Sequence, residues 1–225
     1  MKISLIIPIY NEIGKIDQCI ENLSVLKDSV EVIFADGGSS DDTLSHIPDC
    51  YTVVKCPKGR AKQMNHAAAE TGGDIIWFSH CDSILPQKGP EEILDSVSKG
   101  ARFGCFHIAF DYDGPFMKCN TFNSNLRAKR MHIAFGDQGI FMTKELFESC
   151  GGFPDLPIME DYELSRRMRK QKIRLHVMPS TIVTSGRRYT GQFPLLTMWQ
   201  MFYLRCLYVL GVDIEEISRR YKDIR

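Results

Sequence analysis

The sequence lacks an excess of charge of either sign, and it lacks paired cysteine motifs. Its 225 residues include 28 Lys and Arg against 28 Asp and Glu, so the formal net charge is +0. Such a chain has no general attraction for nucleic acid, and we predict no nucleic-acid partner. The eight cysteines stand apart, without a C-x-x-C pair for zinc or redox chemistry. We expect reduced thiols that act as small core residues.

Long apolar runs are also missing. The first run, Ile3–Ile9, is short and contains Pro8, unlike the core of a signal peptide. The longest run, Leu195–Val212, contains Gln200 and Arg205 and falls short of the roughly 20 residues that a membrane span needs. We therefore expect a cytoplasmic protein. Helical spacing in the longest run predicts a helix that either packs on the core or lies peripherally on the inner membrane surface.

Short apolar runs alternate with helical patterns along most of the chain. Ile3–Ile9 and Val30–Ala35 are rich in β-branched residues, as in strands covered on both faces. Further strands are predicted at 51–55, 74–79, 103–110, 140–142, 173–178 and 181–184, and helices at 13–23, 61–71 and 160–170. This alternation predicts an α/β fold with a single Rossmann-like, mostly parallel sheet flanked by helices. We assign residues 1–194 to one domain and 195–225 to a C-terminal helical extension.

Polar residues follow three of the predicted strands. In open α/β sheets, ligands bind beyond the carboxyl ends of the strands. The three segments are Tyr10-Asn11-Glu12, Asp36-Gly37-Gly38-Ser39-Ser40-Asp41 and His80-Cys81-Asp82. Each alone is ordinary turn or helix-cap chemistry. Together they indicate a ligand site at one edge of the sheet.

These segments, preceded by Leu5-Ile6-Ile7-Pro8-Ile9, resemble the motifs of family 2 glycosyltransferases with the GT-A fold. The resemblance continues through Gly59–Asn65, Gly136–Phe141 and Glu160-Asp161, and is greatest to a small soluble bacterial branch. It implies a GT-A fold for residues 1–194. It also implies transfer of a sugar from a nucleoside diphosphate-sugar, with a UDP-sugar favoured, to the hydroxyl of an unidentified acceptor, with inversion at the anomeric carbon.

The resemblance also implies roles for particular residues. The nucleotide-binding residues would be Pro8, Tyr10, Glu12, Asp36 and Arg60. The diphosphate-binding residues would be Arg187 and Arg188, although a solvated basic turn is the alternative. The acceptor-binding residues would be Asp137, Gln138 and Glu160.

The metal site and the catalytic base are implied in the same way. The family's metal motif is usually Asp-x-Asp, and its second aspartate ligates the ion. Here Asp82 matches that ligand and would hold Mn²⁺ or Mg²⁺, whereas His80 replaces the first aspartate and could be a ligand, a ribose contact or a filler. Asp161, at the start of a predicted helix, would be the general base.

Other functions remain open. A sugar nucleotidyltransferase has a related sheet, but the Gly-rich N-terminal loop of those enzymes is absent. A nucleotide-sugar sensor without transfer activity would keep the same pocket. A processive polymer synthase is disfavoured because the sequence has no Gln-x-x-Arg-Trp motif.

Overall fold

The computed structural model describes residues 1–112, 114–187 and 194–221. The described residues form one sheet between two helical layers. The strands are β1 (Ile3–Ile9), β2 (Glu31–Asp36), β3 (Thr52–Lys55), β4 (Ile75–Phe78), β5 (Ser83–Ile84), β6 (Phe103–Phe110), β7 (Phe141–Thr143) and β8 (His176–Thr184). The helices are α1 (Ile16–Leu23), α2 (Arg60–Glu70), α3 (Gly89–Ser98), α4 (Pro115–Met131), α5 (Lys144–Ser149), α6 (Glu160–Lys170), α7 (Pro194–Val209) and α8 (Ile214–Arg220). Short 3₁₀ turns lie at Asp42–His46 and Gly136–Gln138.

The sheet has the strand order β3-β2-β1-β4-β7-β6-β8-β5. Strands β3, β2, β1 and β4 are mutually parallel, and β6 is parallel to β8. The short strands β7 and β5 run antiparallel to their neighbours, which the sequence analysis did not anticipate. The single flanked α/β sheet is confirmed. Because β1, β2 and β4 are parallel, their carboxyl ends share one edge of the sheet.

Apolar side chains cover both faces of the sheet. In β1, Ile6 packs in the core beneath α2, α5 and α6, whereas Leu5 and Ile7 pack in the core beneath α1 and α3. Successive side chains of a strand point to opposite faces, so a strand buried on both sides needs a continuous apolar run. This explains why the first strands could be predicted from unbroken apolar stretches.

Three helices, α3, α4 and α5, were not predicted. Helix α4 buries only a few of its side chains, among them Met117 and Ala128, and its other positions are largely polar. A continuous apolar stripe is the main sequence signal of a helix, and α4 does not have one. The proline in its first turn, Pro115, is a weaker helix-start signal.

All eight cysteines are free, as expected. Three of them, Cys19, Cys81 and Cys105, are buried and serve as core residues. The expectation of a core role is wrong for Cys50 and Cys119, which are exposed.

The C-terminal helices contact the rest of the structure through a few side chains. Leu204 of α7 and Ile217 of α8 are buried, and the Tyr208 hydroxyl donates a 3.0 Å hydrogen bond to Glu163 of α6. Another side of α7 exposes Trp199 and Phe202. Within the described ranges, no helix combines the length and the apolar character needed to cross a membrane. The domain boundary after residue 194 and the peripheral membrane contact stay predictions.

Substitution of Gly104 should destabilise the fold. Gly104 in β6 pairs with Phe141 in β7, and a Cβ at this position would overlap the Phe141 ring and lie 2.8 Å from the carbonyl oxygen of His176. Because Phe141 is fully buried, we expect Gly104→Ala to lower the free energy of unfolding by about 1–3 kcal/mol in urea denaturation. The control Gly72→Ala, where a Cβ meets no atom within 4 Å, should change it by less than about 0.5 kcal/mol. Equal midpoints for the two variants would contradict the packing at Gly104.

Candidate active site

A cavity of about 520 Å³ opens at the edge where the parallel strands end. Its walls come from the segments after β1 and β4, the starts of α2 and α6, the end of β8, and side chains of α4, α7 and α8. Most of the residues predicted from the sequence line it: Pro8, Tyr10, Glu12, Arg60, His80, Asp82, Asp137, Glu160, Asp161 and Arg187. Arg188 lies outside the described residues. The structure therefore brings the predicted metal ligand and the predicted base into one cavity.

Two side chains of α2 hold the cavity walls in place. The Gln63 amide donates hydrogen bonds to the carbonyl oxygens of Ile9 (2.8 Å) and Ala35 (2.7 Å), which joins the ends of β1 and β2. The Asn65 amide donates to the Phe153 carbonyl oxygen (2.8 Å) and accepts from the Phe153 N–H (2.9 Å). This second pair anchors the segment that leads to α6. Both residues belong to the segment 59–65 that carried the family resemblance, and the structure shows their architectural role.

Asp36 is buried and is not among the residues that line the cavity. Its carboxylate accepts hydrogen bonds from the N–H groups of Gly38 (3.2 Å) and Ser39 (2.9 Å). Gly38 has a φ of 86°, a conformation that glycine adopts at low cost. Asp36 thus shapes the loop after β2, and its hydrogen bond to a nucleobase stays a prediction.

Tyr10 contacts a lysine that the sequence analysis gave no separate role. The Lys58 ammonium lies 4.1 Å from the centroid of the Tyr10 ring, a favourable cation–π geometry. Both residues line the cavity, and Lys58 precedes the start of α2. This contact places a cation close to Arg60, on the wall predicted to bind nucleotide.

The predicted base and the metal motif meet at Gly136. The Gly136 N–H donates a 2.6 Å hydrogen bond to Asp161 Oδ2. A Cβ on Gly136 would lie 2.9 Å from His80 Nε2 and 3.4 Å from Asp161 Oδ2, so this position has little room for a side chain. Met159, directly before α6, has a φ of 66°, and such backbone strain clusters at functional sites. His80 and Asp161, far apart in sequence, therefore share one wall.

Two cavity carboxylates each lie beside an arginine. Arg60 Nη1 is 3.6 Å from Glu160 Oε1, and Arg187 Nη2 is 3.6 Å from Asp82 Oδ2. Burial raises the pKa of Glu160 above its usual range, the Arg60 charge opposes this, and the Asp161 charge adds to it. The positive charge of each arginine is therefore partly compensated by a neighbouring carboxylate.

Asp137 has a buried oxygen without a partner. Among the described residues, nothing forms a hydrogen bond with its Oδ1 atom. Burial raises the pKa of Asp137 to about 6; the Arg127 charge opposes this, and the charges of Asp161 and Asp82 add to it. Buried polar atoms in native proteins nearly always have a partner. The orphaned oxygen is therefore an acceptor that a ligand or a water molecule can satisfy.

Gln138, the neighbour of Asp137, is fully buried and does not line the cavity. Its amide oxygen accepts hydrogen bonds from Arg127 Nη2 (2.8 Å) and the Phe135 N–H (3.2 Å), and its amide nitrogen donates to the Phe106 carbonyl oxygen (3.3 Å). The structure gives Gln138 a supporting position, and its predicted contact with the acceptor stays a prediction.

The lining residues that were not predicted from the sequence include Arg127, Phe135 and Arg205. Arg127 lies on α4, which was not predicted. Arg205 was considered only as an obstacle to a membrane span. An arginine inside an otherwise apolar helix was the available signal, because such a charge needs a polar partner or a cavity.

The cavity offers an incomplete set of metal ligands. Within the part of the chain that the structure describes, His, Cys, Asp and Glu form no group of three or more that could hold an ion. Asp82 can supply a carboxylate oxygen. Burial and the Arg60 charge lower the pKa of His80 to about 3, so its imidazole is neutral at pH 7 and can ligate. This donor set fits a divalent cation whose remaining ligands come from substrate phosphates and water.

Comparison with known proteins identifies the family. The family model of glycosyl transferase family 2 matches residues 4–150. The chain belongs to glycosyl transferase family 2.

Two curated relatives come from Bacillus subtilis (strain 168). The chain is 25% identical over 209 residues to the probable glycosyltransferase YdaM, which covers 80% of this chain and 50% of YdaM. It is 34% identical over 93 residues to the uncharacterized glycosyltransferase YfnE, which covers 37% of this chain and 24% of YfnE. The chain thus spans about half the length of YdaM.

Solved structures share the fold. Glucosyl-3-phosphoglycerate synthase from Mycobacterium tuberculosis, in complex with Mn²⁺, UDP and phosphoglyceric acid, superposes with a TM-score of 0.62 at 22% identity, over 94% of this chain and 79% of that chain. The mannosyltransferase PcManGT from Pyrobaculum calidifontis, in complex with GDP-Man and Mn²⁺, superposes with a TM-score of 0.64 at 20% identity. The match covers 100% of this chain and 66% of that chain. S. aureus TarS 1-349 superposes with a TM-score of 0.66 at 16% identity, over 98% of this chain and 68% of that chain. The GT-A fold implied by the sequence is confirmed.

Asp137 should make stability depend on pH. The pKa of Asp137 is raised to about 6 in the folded protein, against about 3.9 in an unfolded chain. The folded state therefore binds more protons between about pH 4 and 6, and stability falls as the pH rises through this window. Asp137→Asn should raise the free energy of unfolding above pH 6 by up to about 3 kcal/mol and should leave it nearly unchanged below pH 4.

Urea denaturation at pH 4 and pH 7.5 measures this effect. Asp28→Asn, at an exposed position, is the matched control and should change stability little at either pH. An equal effect of Asp137→Asn at both pH values would contradict the burial of the Asp137 carboxylate.

Proposed function

We propose that this chain is an inverting glycosyltransferase that moves a sugar from a nucleoside diphosphate-sugar to an acceptor hydroxyl. The observation that carries the proposal is the single cavity that both Asp82 and Asp161 line. Membership of glycosyl transferase family 2 supports the reaction class. The complexes of similar folds with UDP or GDP-Man and Mn²⁺ support a nucleotide-sugar donor. We favour a UDP-sugar.

The donor would lie along the edge formed by β1, β2 and α2. Pro8, Tyr10 and Glu12 line the cavity and are proposed to contact the nucleoside. The diphosphate needs positive charge, which Lys58, Arg60 and Arg187 bring to the same cavity. Arg188 follows Arg187 in sequence and is proposed to assist it.

Asp82 and His80 would hold a divalent cation, Mn²⁺ or Mg²⁺. When bound, such an ion neutralises the charge that develops on a diphosphate leaving group. Arg187 lies 3.6 Å from Asp82, so its positive charge acts at the same place. The protein thus supplies a carboxylate and a guanidinium to the leaving group's side of the cavity.

Asp161 would remove the proton from the acceptor hydroxyl. The Gly136 N–H donates a hydrogen bond to its carboxylate and fixes it at the start of α6. The acceptor oxygen forms a bond to the anomeric carbon while the bond from that carbon to the diphosphate oxygen breaks, and the proton passes to Asp161 in the same step. Attack opposite to the leaving group inverts the anomeric centre. Asp137 and Glu160 line the same cavity and are proposed to orient the acceptor, and Gln138 is proposed to assist them.

Removal of the base should abolish transfer without loss of the nucleotide. Asp161→Asn keeps the size of the side chain but cannot accept the proton, so turnover should fall by about 10²–10⁴-fold, whereas UDP affinity should change less than about twofold. Turnover is measured as nucleoside diphosphate released from excess UDP-, GDP- and dTDP-sugars in Mn²⁺. Asp155→Asn, at an exposed residue paired with Lys62, is the matched control.

The products separate the competing functions. Wild-type turnover by Asp161→Asn would overturn the assignment of the base. Formation of pyrophosphate in a separate assay with a nucleoside triphosphate and a sugar 1-phosphate would instead indicate a sugar nucleotidyltransferase. Tight binding of a nucleotide-sugar without any release by the wild-type protein would indicate a sensor.

Loss of the metal ligand should have a different signature. Asp82→Asn should abolish the additional thermal stabilisation that Mn²⁺ gives in the presence of UDP, because a ligand stabilises the fold by an amount that rises with the logarithm of its concentration over Kd. We expect at least about a tenfold loss of UDP affinity in Mn²⁺, equivalent to about 1.4 kcal/mol, and a smaller change in EDTA. Asp95→Asn, on the exposed side of α3, should behave as wild type. An unchanged Mn²⁺ titration of Asp82→Asn would remove this residue from the metal site.

A further inference from the structure

We infer that the acceptor carries an anionic group, a phosphate or a carboxylate, and that Arg127 and Arg205 bind this group beside Phe135. The inference rests on the proposed function, because it places the anion next to the proposed base. It names a substrate class and two positioning residues for the acceptor half of the cavity.

Two guanidinium groups converge on one aromatic ring in the cavity wall. The Arg127 guanidinium lies 3.6 Å from the centroid of the Phe135 ring, and the Arg205 guanidinium lies 5.4 Å from it. One arginine comes from α4 and the other from α7, and all three residues line the cavity. Cation–π attraction holds each guanidinium near the ring, so the fold presents two positive charges at one place.

Within the described ranges, no carboxylate pairs with either arginine. Arg127 Nε donates to the Ile133 carbonyl oxygen (3.2 Å) and Arg127 Nη2 donates to Gln138 Oε1 (2.8 Å). Arg205 Nε donates to the Met201 carbonyl oxygen (3.1 Å). These acceptors are neutral, and the ion pairs found within 4 Å involve other residues. The two positive charges are therefore compensated only at longer range.

This arrangement costs free energy when no anion is bound. Burial lowers the pKa of Arg127 to about 10, and the Arg205 charge adds to the lowering, although Arg127 stays charged at pH 7. Burying a charge without a partner is unfavourable, and two like charges in a cavity repel each other. A single anion between them would remove both costs.

Guanidinium geometry points to a phosphate or a carboxylate. Each guanidinium carries five N–H donors in a planar fork, and the contacts described above occupy only part of them. The fork matches the paired oxygens of carboxylates and phosphates. A neutral sugar or a hydrocarbon chain could not compensate the charge.

The pair lies on the acceptor side of the cavity. Phe135 directly precedes Gly136, whose N–H holds Asp161, and the charges of Asp137 and Asp161 both act on Arg127. The arginines proposed for the donor differ, because Arg60 and Arg187 each have a carboxylate within 4 Å. An acceptor with its anion at the arginine pair could therefore direct one hydroxyl to Asp161 and a second to the orphaned oxygen of Asp137.

A graded set of small polyols tests the inference. Glycerol 3-phosphate, glycerate and glycerol carry hydroxyl groups on the same three-carbon chain and differ in the anion. Isothermal titration calorimetry of the wild-type protein with UDP and Mn²⁺ should show at least about tenfold tighter binding of the two anions than of glycerol. A preference between the two anions would distinguish a phosphate acceptor from a carboxylate acceptor.

Variants of Arg205 locate the site. Arg205→Gln should lower the affinity for glycerol 3-phosphate at least about tenfold and change the affinity for UDP less than about twofold. Arg205→Lys keeps the charge and should recover part of the lost affinity. Arg219→Gln, at an exposed position of α8, is the matched control and should bind both ligands as wild type. Melting temperatures report whether a variant has lost its fold, and recovery by lysine would not follow from a packing defect.

Several outcomes would overturn the inference. Equal binding of glycerol and the two anions, no measurable binding of either anion, or unchanged binding by Arg205→Gln would each do so. A loss of UDP affinity in Arg205→Gln would assign the pair to the donor diphosphate instead. Failure of the wild-type protein to bind any nucleotide would overturn the proposed function, and titration of glycerol 3-phosphate without UDP would then still report on the arginine pair.

Discussion

The hydrogen bond from the Gly136 N–H to Asp161 Oδ2 is the contact on which the candidate site depends. It joins the 3₁₀ turn before β7 to the start of α6, and His80 closes on the same glycine from the end of β4. The proposed base, the predicted acceptor-side turn and the predicted metal motif thus belong to segments that are distant in sequence and meet at one glycine. A Cβ there would lie 2.9 Å from His80 Nε2, so a larger residue would have to displace the His80 side chain. The parallel strands beneath this contact supply the common edge that allows it to form.

The cavity wall contains ionisable side chains whose burial costs free energy of folding. Burial raises the pKa values of Asp137 and Glu160 and lowers that of Arg127, so each group is held in an environment that disfavours its charged form. The two apolar cores on either side of the sheet offset this cost. Shifted pKa values that cluster in a cleft are typical of functional sites, and active sites commonly sacrifice stability for function. The shifts therefore agree with the geometry in pointing to this edge of the sheet.

Periodicity predicted the elements whose burial is regular. Strand β6 and helix α6 have the predicted limits, because one is largely apolar and the other has a clear start in the acidic pair that opens it. Helix α4 was missed since its polar side chains surround most of its surface, and the reversal of β7 could not be inferred because three residues carry no signal of direction. Motif matching grouped lining and supporting residues together, so it could not separate Asp82, which lines the cavity, from Gln138, which lies behind it. Arg127 and Arg205 belong to no short motif, and only the fold brings them to the same ring.

The family model covers only part of the candidate site. The match ends at residue 150, so it includes the residues after β1, β2 and β4 that are proposed for the donor and the metal, together with Arg127 and Asp137. Asp161, Arg187 and Arg205 lie beyond it. Donor chemistry imposes a recurrent requirement, a diphosphate to be neutralised, whereas acceptors differ in shape and charge. Side chains from α4 and α7 can therefore vary without disturbing the donor wall, and their charges are where the identity of the acceptor should be sought. On this argument, an arginine that has a carboxylate beside it serves the group common to all donors, and an arginine without one indicates the charge of the particular acceptor.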